Sequence, residues 1–124
     1  EGVRLLGEVE DVRPALARAG ALLVPLLVGG GTRLKLLEAA AYGVPIVATR
    51  VAAEGLALHD GTHLRLVERI EHLADAALEV LDQRASARER CEAARAVVLE
   101  HYAWQVAASA VLDVWRRAAA HTVA

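Results

Sequence analysis

Three consecutive glycines at positions 29–31 are followed at once by Thr32 and Arg33, then by Lys35 and Glu38. Glycine lets main-chain N–H groups approach an anion closely because no Cβ atom intervenes. A helix that starts directly after such a loop adds unpaired N–H groups and the positive end of its dipole. These residue types and their spacing predict a phosphate-binding loop, to which Arg33 and Lys35 add positive charge.

The helix behind this loop is predicted to run from a Thr32 cap to Tyr42. At about 100° per residue, Lys35, Glu38 and Tyr42 fall on one stripe, whereas the other residues between positions 34 and 41 are apolar. We therefore expect the stripe to face solvent or a cleft. A carboxylate one turn behind a phosphate site is well placed to accept hydrogen bonds from ribose hydroxyls, so the pattern predicts a nucleoside diphosphate ligand.

A plainer interpretation of the same residues stays open. Glycine triplets are often ordinary loops, and Lys35 and Glu38 could form an exposed i,i+3 pair worth a few tenths of a kcal/mol. The loop has no Gly-x-x-x-x-Gly-Lys-Ser/Thr pattern, which disfavours a P-loop ATPase. It is not Gly-x-Gly-x-x-Gly after a first strand either, which disfavours a dinucleotide-dependent dehydrogenase.

The elements that must position the loop alternate along the chain. Short apolar runs predict strands at 3–6, 21–27, 44–49 and 64–67. Helices are predicted at 12–18, 32–42, 68–83, 85–101 and 104–121, with a loop at 50–61. This order favours an α/β fold: a Rossmann-like parallel sheet with flanking helices and a helical C-terminal part.

Composition narrows the classes of protein further. The chain has 124 residues, of which 56% are hydrophobic and 24% charged, which fits one folded domain and excludes intrinsic disorder. A net charge of -2 disfavours nucleic acid as a partner. The apolar runs are too short for a transmembrane segment. Cys91 is the only cysteine, so no internal disulfide can form, and we expect a cytoplasmic location.

Other reactive or aromatic side chains have structural interpretations. No histidine near Cys91 in sequence could act as its base, so this cysteine is interpreted as a small helix residue. The histidines between positions 59 and 72 lack the spacing of a metal site, and no metal is predicted. Trp104 and Trp115, eleven residues apart, share a helix face that is more typical of core packing than of a stacking platform, although the face could also be exposed in this chain.

Taken together, these blocks resemble the C-terminal half of a GT-B glycosyltransferase of the group 1 family. The resemblance rests on residues 6–11, 19–25, 29–49, 54–56 and 102–104. It covers nearly the whole chain and is most specific from 29 to 49. It implies that residues 1–124 form one partial domain, the nucleotide-sugar donor-binding half. The N-terminal acceptor domain and the first strand–helix units of that family would then be absent.

The resemblance also implies roles for the residues around the glycines. Glu38 matches the second carboxylate of the family's Glu-x7-Glu motif, which holds the donor ribose. The first carboxylate would stand at Gly30, so this chain follows a branch with the pattern Gly-x-Gly-Thr-x-x-Lys-x-x-Glu. Because that first carboxylate contacts the transferred sugar in many relatives, the sugar and the stereochemical outcome stay open. Retention of configuration is what the family implies.

Further donor contacts follow from the same resemblance. The diphosphate would be held by the main chain of five successive residues: Gly31, Thr32, Arg33, Leu34 and Lys35. Val9 would meet the nucleobase through its main chain, and the loop at His59 and Asp60 would have at most a minor donor role. No residue is assigned to catalysis itself, and no cofactor or metal is expected beside the nucleoside-diphosphate sugar.

The implied function is transfer of a glycosyl group from a nucleoside-diphosphate sugar to an unknown acceptor. Two alternatives stay open: a non-catalytic nucleotide-binding or interaction domain of the same fold, and a sugar-nucleotide epimerase. We expect this chain alone to be inactive, because transfer needs both domains. In the family's sheet, the absent strands would lie between those at 3–6 and 21–27. We therefore expect an exposed edge, at which the strands re-pair or a homodimer forms.

Overall fold

A three-stranded parallel sheet forms the centre of the protein in a computed structural model, which describes residues 2–122. The strands are β1 (Leu22–Val24), β2 (Ile46–Thr49) and β3 (Arg65–Val67), and they lie side by side in that order. Both pairs are parallel. The predicted α/β class with a parallel sheet is therefore confirmed.

Helices connect and flank these strands. They are α1 (Arg13–Arg18), α2 (Leu34–Ala41), α3 (Arg50–Ala53), α4 (Leu73–Asp82), α5 (Arg84–His101) and α6 (Trp104–Thr122). A single 3₁₀ turn at Ile70–His72 precedes α4, so the helix predicted from position 68 starts later than expected. The short α3 occupies the start of the segment that was predicted to be a loop.

The predicted strand at 3–6 does not form. Val3 and Leu5 are 87% and 93% exposed, and the segment has no strand partner among the described residues. A strand needs a neighbour for its N–H and C=O groups. Among residues 2–122, β1 pairs only with β2 and is an edge strand, so the expected exposed edge is present. Re-pairing of the 3–6 segment with β1 is not seen.

Proline explains why β1 and β2 are shorter than predicted. Pro25 directly follows β1, and Pro45 directly precedes β2. Proline has no N–H to donate to a ladder, so each marks the end of regular pairing. The carbonyl of Pro45 still accepts a hydrogen bond from the Leu22 N–H at 2.8 Å, which aligns the two strands where they begin.

Two apolar clusters cover the two faces of the sheet, as expected because successive strand side chains point to opposite faces. On one face, Ile46 and Ala48 pack with residues of α2 and α5. On the other, Val47 and Val67 pack with residues of α4. Fully buried alanines let these elements approach closely; they are Ala39, Ala40, Ala48 and Ala52. The small side chains of these alanines thus allow the helices to pack closely against the sheet.

Helix α6 lies outside both clusters. Trp104 is 85% and Trp115 67% exposed, and the other α6 side chains up to position 120 are exposed as well. The expectation that these tryptophans pack in a core is therefore wrong. Tyr102 anchors the end of α5, where its hydroxyl accepts the Ala57 N–H at 2.8 Å. Within residues 2–122, none of the helices combines the length and apolar character needed to cross a bilayer.

Candidate functional site

The three glycines at 29–31, here called the glycine loop, follow the C-terminal end of β1. Ligands of parallel α/β folds bind at this edge of the sheet, where loops from neighbouring strands meet. The hydroxyl of Thr49, at the end of β2, donates a hydrogen bond to the Leu26 carbonyl. This bond connects the end of β2 to the segment that leads into the glycine loop.

Arg33 is buried beneath the loop, with only 8% of its surface exposed. Its Nη2 donates to the carbonyls of Gly29 at 2.8 Å and Val51 at 3.0 Å. Its Nη1 donates to the carbonyl of Gly30 at 3.3 Å. Its Nε is buried without a hydrogen-bond partner among the described residues. The side chain predicted to add positive charge at the site therefore lies inside the protein.

The start of α2 presents unpaired donors. Helix α2 begins at Leu34, and the N-cap position falls on Arg33 without a side-chain capping bond, so the predicted Thr32 cap is wrong. Within the described part of the chain, the N–H groups of residues 31–35 donate to no protein acceptor. Such groups are left over in the first turn of any helix. Together with the helix dipole, they can bind an anion.

Backbone conformation explains two of the three glycines. Gly29 and Gly31 have φ angles of +154° and +92°, which side-chain-bearing residues rarely adopt. Gly30 has no such angle, and a Cβ atom there would meet nothing within 4 Å. Sterics therefore permit a larger residue at Gly30. Its small size leaves open space at this point of the loop.

The exposed stripe of α2 matches the prediction. Lys35, Glu38 and Tyr42 are all exposed, whereas Leu36 in the same helix is fully buried. Leu34 is exposed too, at 60%, so the open face is wider than expected. No ion pair joins Lys35 to Glu38, and neither side chain has a hydrogen-bond partner among residues 2–122. The Glu38 carboxylate is therefore available to an external donor.

Val9 lies apart from this arrangement. It is 45% exposed and lines a surface groove with Leu6, Asp11 and Pro14. No residue of the glycine loop or of α2 lines that groove. The structure thus brings together seven of the eight predicted donor-site residues, which span positions 30–38, and leaves the eighth on a separate surface.

His59 and Asp60 shape the turn that enters β3. The main-chain N–H of His59 donates to Nδ1 of His63 at 2.9 Å. Oδ1 of Asp60 accepts the Leu66 N–H at 2.8 Å and lies 3.6 Å from Nη1 of Arg65. Burial, and next the nearby His59, lower the pKa of His63 below its ordinary value. These contacts give His59 and Asp60 a structural role in the turn.

Cys91 lies elsewhere, at the opposite end of the strands. It lines a cleft of about 540 Å³ together with Gly20 and Pro45, which stand before β1 and β2. Burial raises the pKa of its thiol; the nearby charge of Glu92 raises it further by less, and the charge of Arg90 lowers it. This agrees with its interpretation as a small helix residue. Among residues 2–122, no group of three or more His, Cys, Asp or Glu could hold a metal ion.

Sequence reasoning did not find Thr49 or Val51, the two contacts that link the loop segment to the neighbouring strand and helix. Thr49 stands at the end of an apolar strand, and a hydroxyl there is a recognisable signal. The contribution of Val51 is a main-chain carbonyl, which has no signal in the sequence.

A parallel sheet with a glycine loop at its C-terminal edge and a carboxylate one turn into the next helix is typical of α/β domains that bind phosphate-bearing ligands. Residues 1–83 match the family model described as glycosyl transferases group 1. The chain belongs to the group 1 glycosyltransferase family, which confirms the resemblance found in its sequence.

Comparison with known proteins agrees with this assignment. The chain is 35% identical over 123 residues to a phosphatidyl-myo-inositol mannosyltransferase of Mycobacterium leprae, covering 96% of this chain and 33% of the relative. It is 37% identical over 81 residues to a glycogen synthase of Mycobacterium tuberculosis, covering 64% and 20%. The chain therefore spans a third or less of the length of these curated relatives.

The fold has a close counterpart among solved structures. The sucrose-phosphate synthase of Thermosynechococcus elongatus superposes with a TM-score of 0.77, over 89% of this chain and 28% of that chain. The two sequences are 23% identical over the match, so the likeness concerns the fold.

Proposed function

We propose that this chain is the donor-binding half of a glycosyltransferase that transfers a glycosyl group from a nucleoside-diphosphate sugar to an acceptor. The observation that carries the proposal is the row of unpaired N–H groups at residues 31–35, one helical turn before the exposed carboxylate of Glu38. The relatives' names, mannosyltransferase and glycogen synthase, support sugar transfer as the general reaction.

The diphosphate would bind at the start of α2. Hydrogen bonds between N–H groups and a charged acceptor contribute about 1.5–3 kcal/mol each, more than bonds between neutral groups. The helix dipole adds about 0.3–1 kcal/mol. Lys35 is exposed in the first turn and can add a direct charge. In a transfer reaction, the same groups would stabilise the departing diphosphate.

The ribose would bind to Glu38. From Leu34 to Glu38 the helix rises by roughly 6 Å. A carboxylate at that distance can accept hydrogen bonds from the two ribose hydroxyls while the diphosphate occupies the first turn. Val9 enters the proposal as a main-chain contact to the nucleobase on the family resemblance alone. The space beside Gly30 would receive part of the transferred sugar.

The partners follow from this assignment. The proposed donor is a nucleotide sugar, and the acceptor domain would be supplied by the rest of a longer chain. Transfer requires groups from both domains to close around the substrates, so we propose that these 124 residues alone bind the donor without turnover. A cytoplasmic location is part of the proposal, since the lone thiol of Cys91 has no disulfide partner within the sequence.

A titration of the 124-residue chain with UDP, GDP and ADP tests the donor site. We expect one of these nucleotides to bind and to slow amide hydrogen exchange across residues 29–38. Loss of a charge-assisted bond costs about 1.5–3 kcal/mol. Glu38→Ala should therefore weaken binding by roughly ten- to a hundred-fold. Glu89→Ala, which removes an exposed carboxylate from α5, is the matched control and should leave the Kd unchanged.

Two results would contradict the proposal. In the first, the folded full chain binds none of the three nucleotides. In the second, a nucleotide binds but protects no amide in residues 29–38. Equal Kd values for the wild type and Glu38→Ala would show that Glu38 does not contact the nucleotide. The assignment of the glycine loop would be unaffected.

A non-catalytic nucleotide-binding domain is the second candidate. The observation that favours it is Gly30, which leaves no carboxylate where the family's first motif glutamate would stand. Both candidates predict nucleotide binding, but only the first predicts transfer of the sugar. Hydrolysis or transfer of the sugar from the matching nucleotide sugar, by the longer chain that supplies the acceptor domain, would exclude the second candidate.

A further inference from the structure

The side chain of Arg33 points into the protein, although both of its sequence neighbours are exposed. Thr32 and Leu34 face solvent, whereas Arg33 is 8% exposed. A buried charged group is costly unless hydrogen bonds replace its water. Here the carbonyls of Gly29, Gly30 and Val51 replace it.

These three bonds determine which way the loop's peptide groups face. In a trans peptide, the C=O group and the N–H group that follows it point in opposite directions. The Gly29 and Gly30 carbonyls accept from the guanidinium, so the N–H groups of Gly30 and Gly31 must point away from it. The third bond, to Val51, fixes this arrangement against α3.

The charge of Arg33 also remains without a counterion. No carboxylate lies within ion-pair distance of its guanidinium among the described residues. A positive charge in a poorly solvated place acts over a longer distance than one in water. The guanidinium thus raises the electrostatic potential at the outer face of the loop without donating a bond there.

From these contacts we infer that Arg33 is a positioning residue of the donor site. It holds the glycine loop with the Gly30 and Gly31 N–H groups facing outward, and its side chain does not touch the bound diphosphate. The inference rests on the proposed function for the identity of the ligand. Lys35 would contact the diphosphate directly with its charge, whereas Arg33 would support the loop from inside the protein.

The test compares Arg33→Lys with the wild type in the full chain. Lysine keeps the charge but lacks the planar fork of donors that reaches three carbonyls. We expect roughly ten-fold weaker binding of whichever of UDP, GDP or ADP binds the wild type. In the free protein, the NMR order parameters of the main-chain amides in residues 29–32 should fall, while those in α4 and α5 stay as in the wild type. Arg95→Lys, on the exposed side of α5, should change neither measurement.

Each outcome decides the inference. Weaker binding together with lower order parameters in the loop supports it. Either change alone overturns it: weaker binding with an unchanged loop indicates direct contact, and a more mobile loop without weaker binding indicates a purely structural role. If Arg33→Lys does not fold, Arg33→Gln is measured in the same way, and failure of both to fold overturns the inference. Absence of nucleotide binding in the wild type would instead reject the proposed function.

Discussion

At the scale of single residues, a few side chains connect segments that are distant in sequence. Arg33 reaches the carbonyl of Val51, Thr49 reaches that of Leu26, and the Tyr102 hydroxyl accepts the N–H of Ala57. All three bonds involve a main-chain group. Bonds of this kind fix the path of loops, which have few contacts of their own. The geometry of the glycine loop therefore depends on residues outside it.

Cys91 provides a prediction at this scale. Its thiol is buried and its pKa is raised, chiefly by that burial, so little of the reactive thiolate exists at neutral pH. We expect slow alkylation of the native protein by iodoacetamide and rapid alkylation in denaturant. Mass spectrometry over a time course measures both rates. Native alkylation as fast as that of the denatured chain would contradict the burial of Cys91.

At the scale of elements, the turn between α3 and β3 combines polar side-chain contacts with two buried leucines, Leu58 and Leu64. Asp60 accepts the Leu66 N–H, and His63 accepts the N–H of His59. The second bond requires an unprotonated Nδ1 on His63. This turn leads from α3 into β3. The protonation state of His63 therefore affects how the turn holds β3.

The pH dependence of stability follows from His63. Its pKa in the folded protein is lowered by burial and by His59, whereas in the unfolded chain it lies near its ordinary value of about 6.5. As pH falls below that value, the unfolded chain takes up a proton more readily than the folded one. The contribution of His63 to the free energy of unfolding should therefore decrease as pH falls below about 6.5 and stay level above it.

Urea unfolding at a series of pH values measures this slope. His63→Gln cannot titrate, so its profile should be flatter than that of the wild type between neutral pH and the lowered pKa. His72→Gln, which removes an exposed histidine at the start of α4, serves as the matched control. Identical profiles for the wild type and His63→Gln would contradict the assignment.

The glycine loop and the alternation of strands and helices could be predicted because both are local patterns. Glycine runs, proline positions and apolar periodicity are visible in a few residues at a time. The burial of Arg33 could not be predicted, since it depends on a carbonyl 18 residues further along the chain. The strand at 3–6 was expected from its apolar residues, yet strands form only with a partner. The exposure of Trp104 and Trp115 could not be predicted for a similar reason: an apolar helix face does not specify which element, if any, packs against it.

At the scale of the whole molecule, the sheet ends at an open edge. β1 pairs with β2 on one side and with no strand on the other among the described residues. Leu23, in the middle of β1, is 45% exposed. Unpaired N–H and C=O groups beside exposed apolar side chains favour association through the edge.

We predict that two copies of this 124-residue chain pair through β1. Analytical ultracentrifugation over a range of concentrations should show a mass that rises toward twice that of the monomer. Leu23→Lys places a charge on the associating strand and should restore the monomer, whereas Leu99→Lys, at an exposed position of α5, should leave the dimer intact. A monomer at every concentration would contradict the prediction.

The exposure of α6 also determines what optical spectroscopy can report on this protein. Both tryptophans of the chain lie on that helix, at positions where water already surrounds the indole rings. Their fluorescence therefore senses the surroundings of α6 and carries little information on the packing around the sheet. A blue shift of the emission would report a molecule that covers the helix, and unfolding of the core is better followed by far-UV circular dichroism.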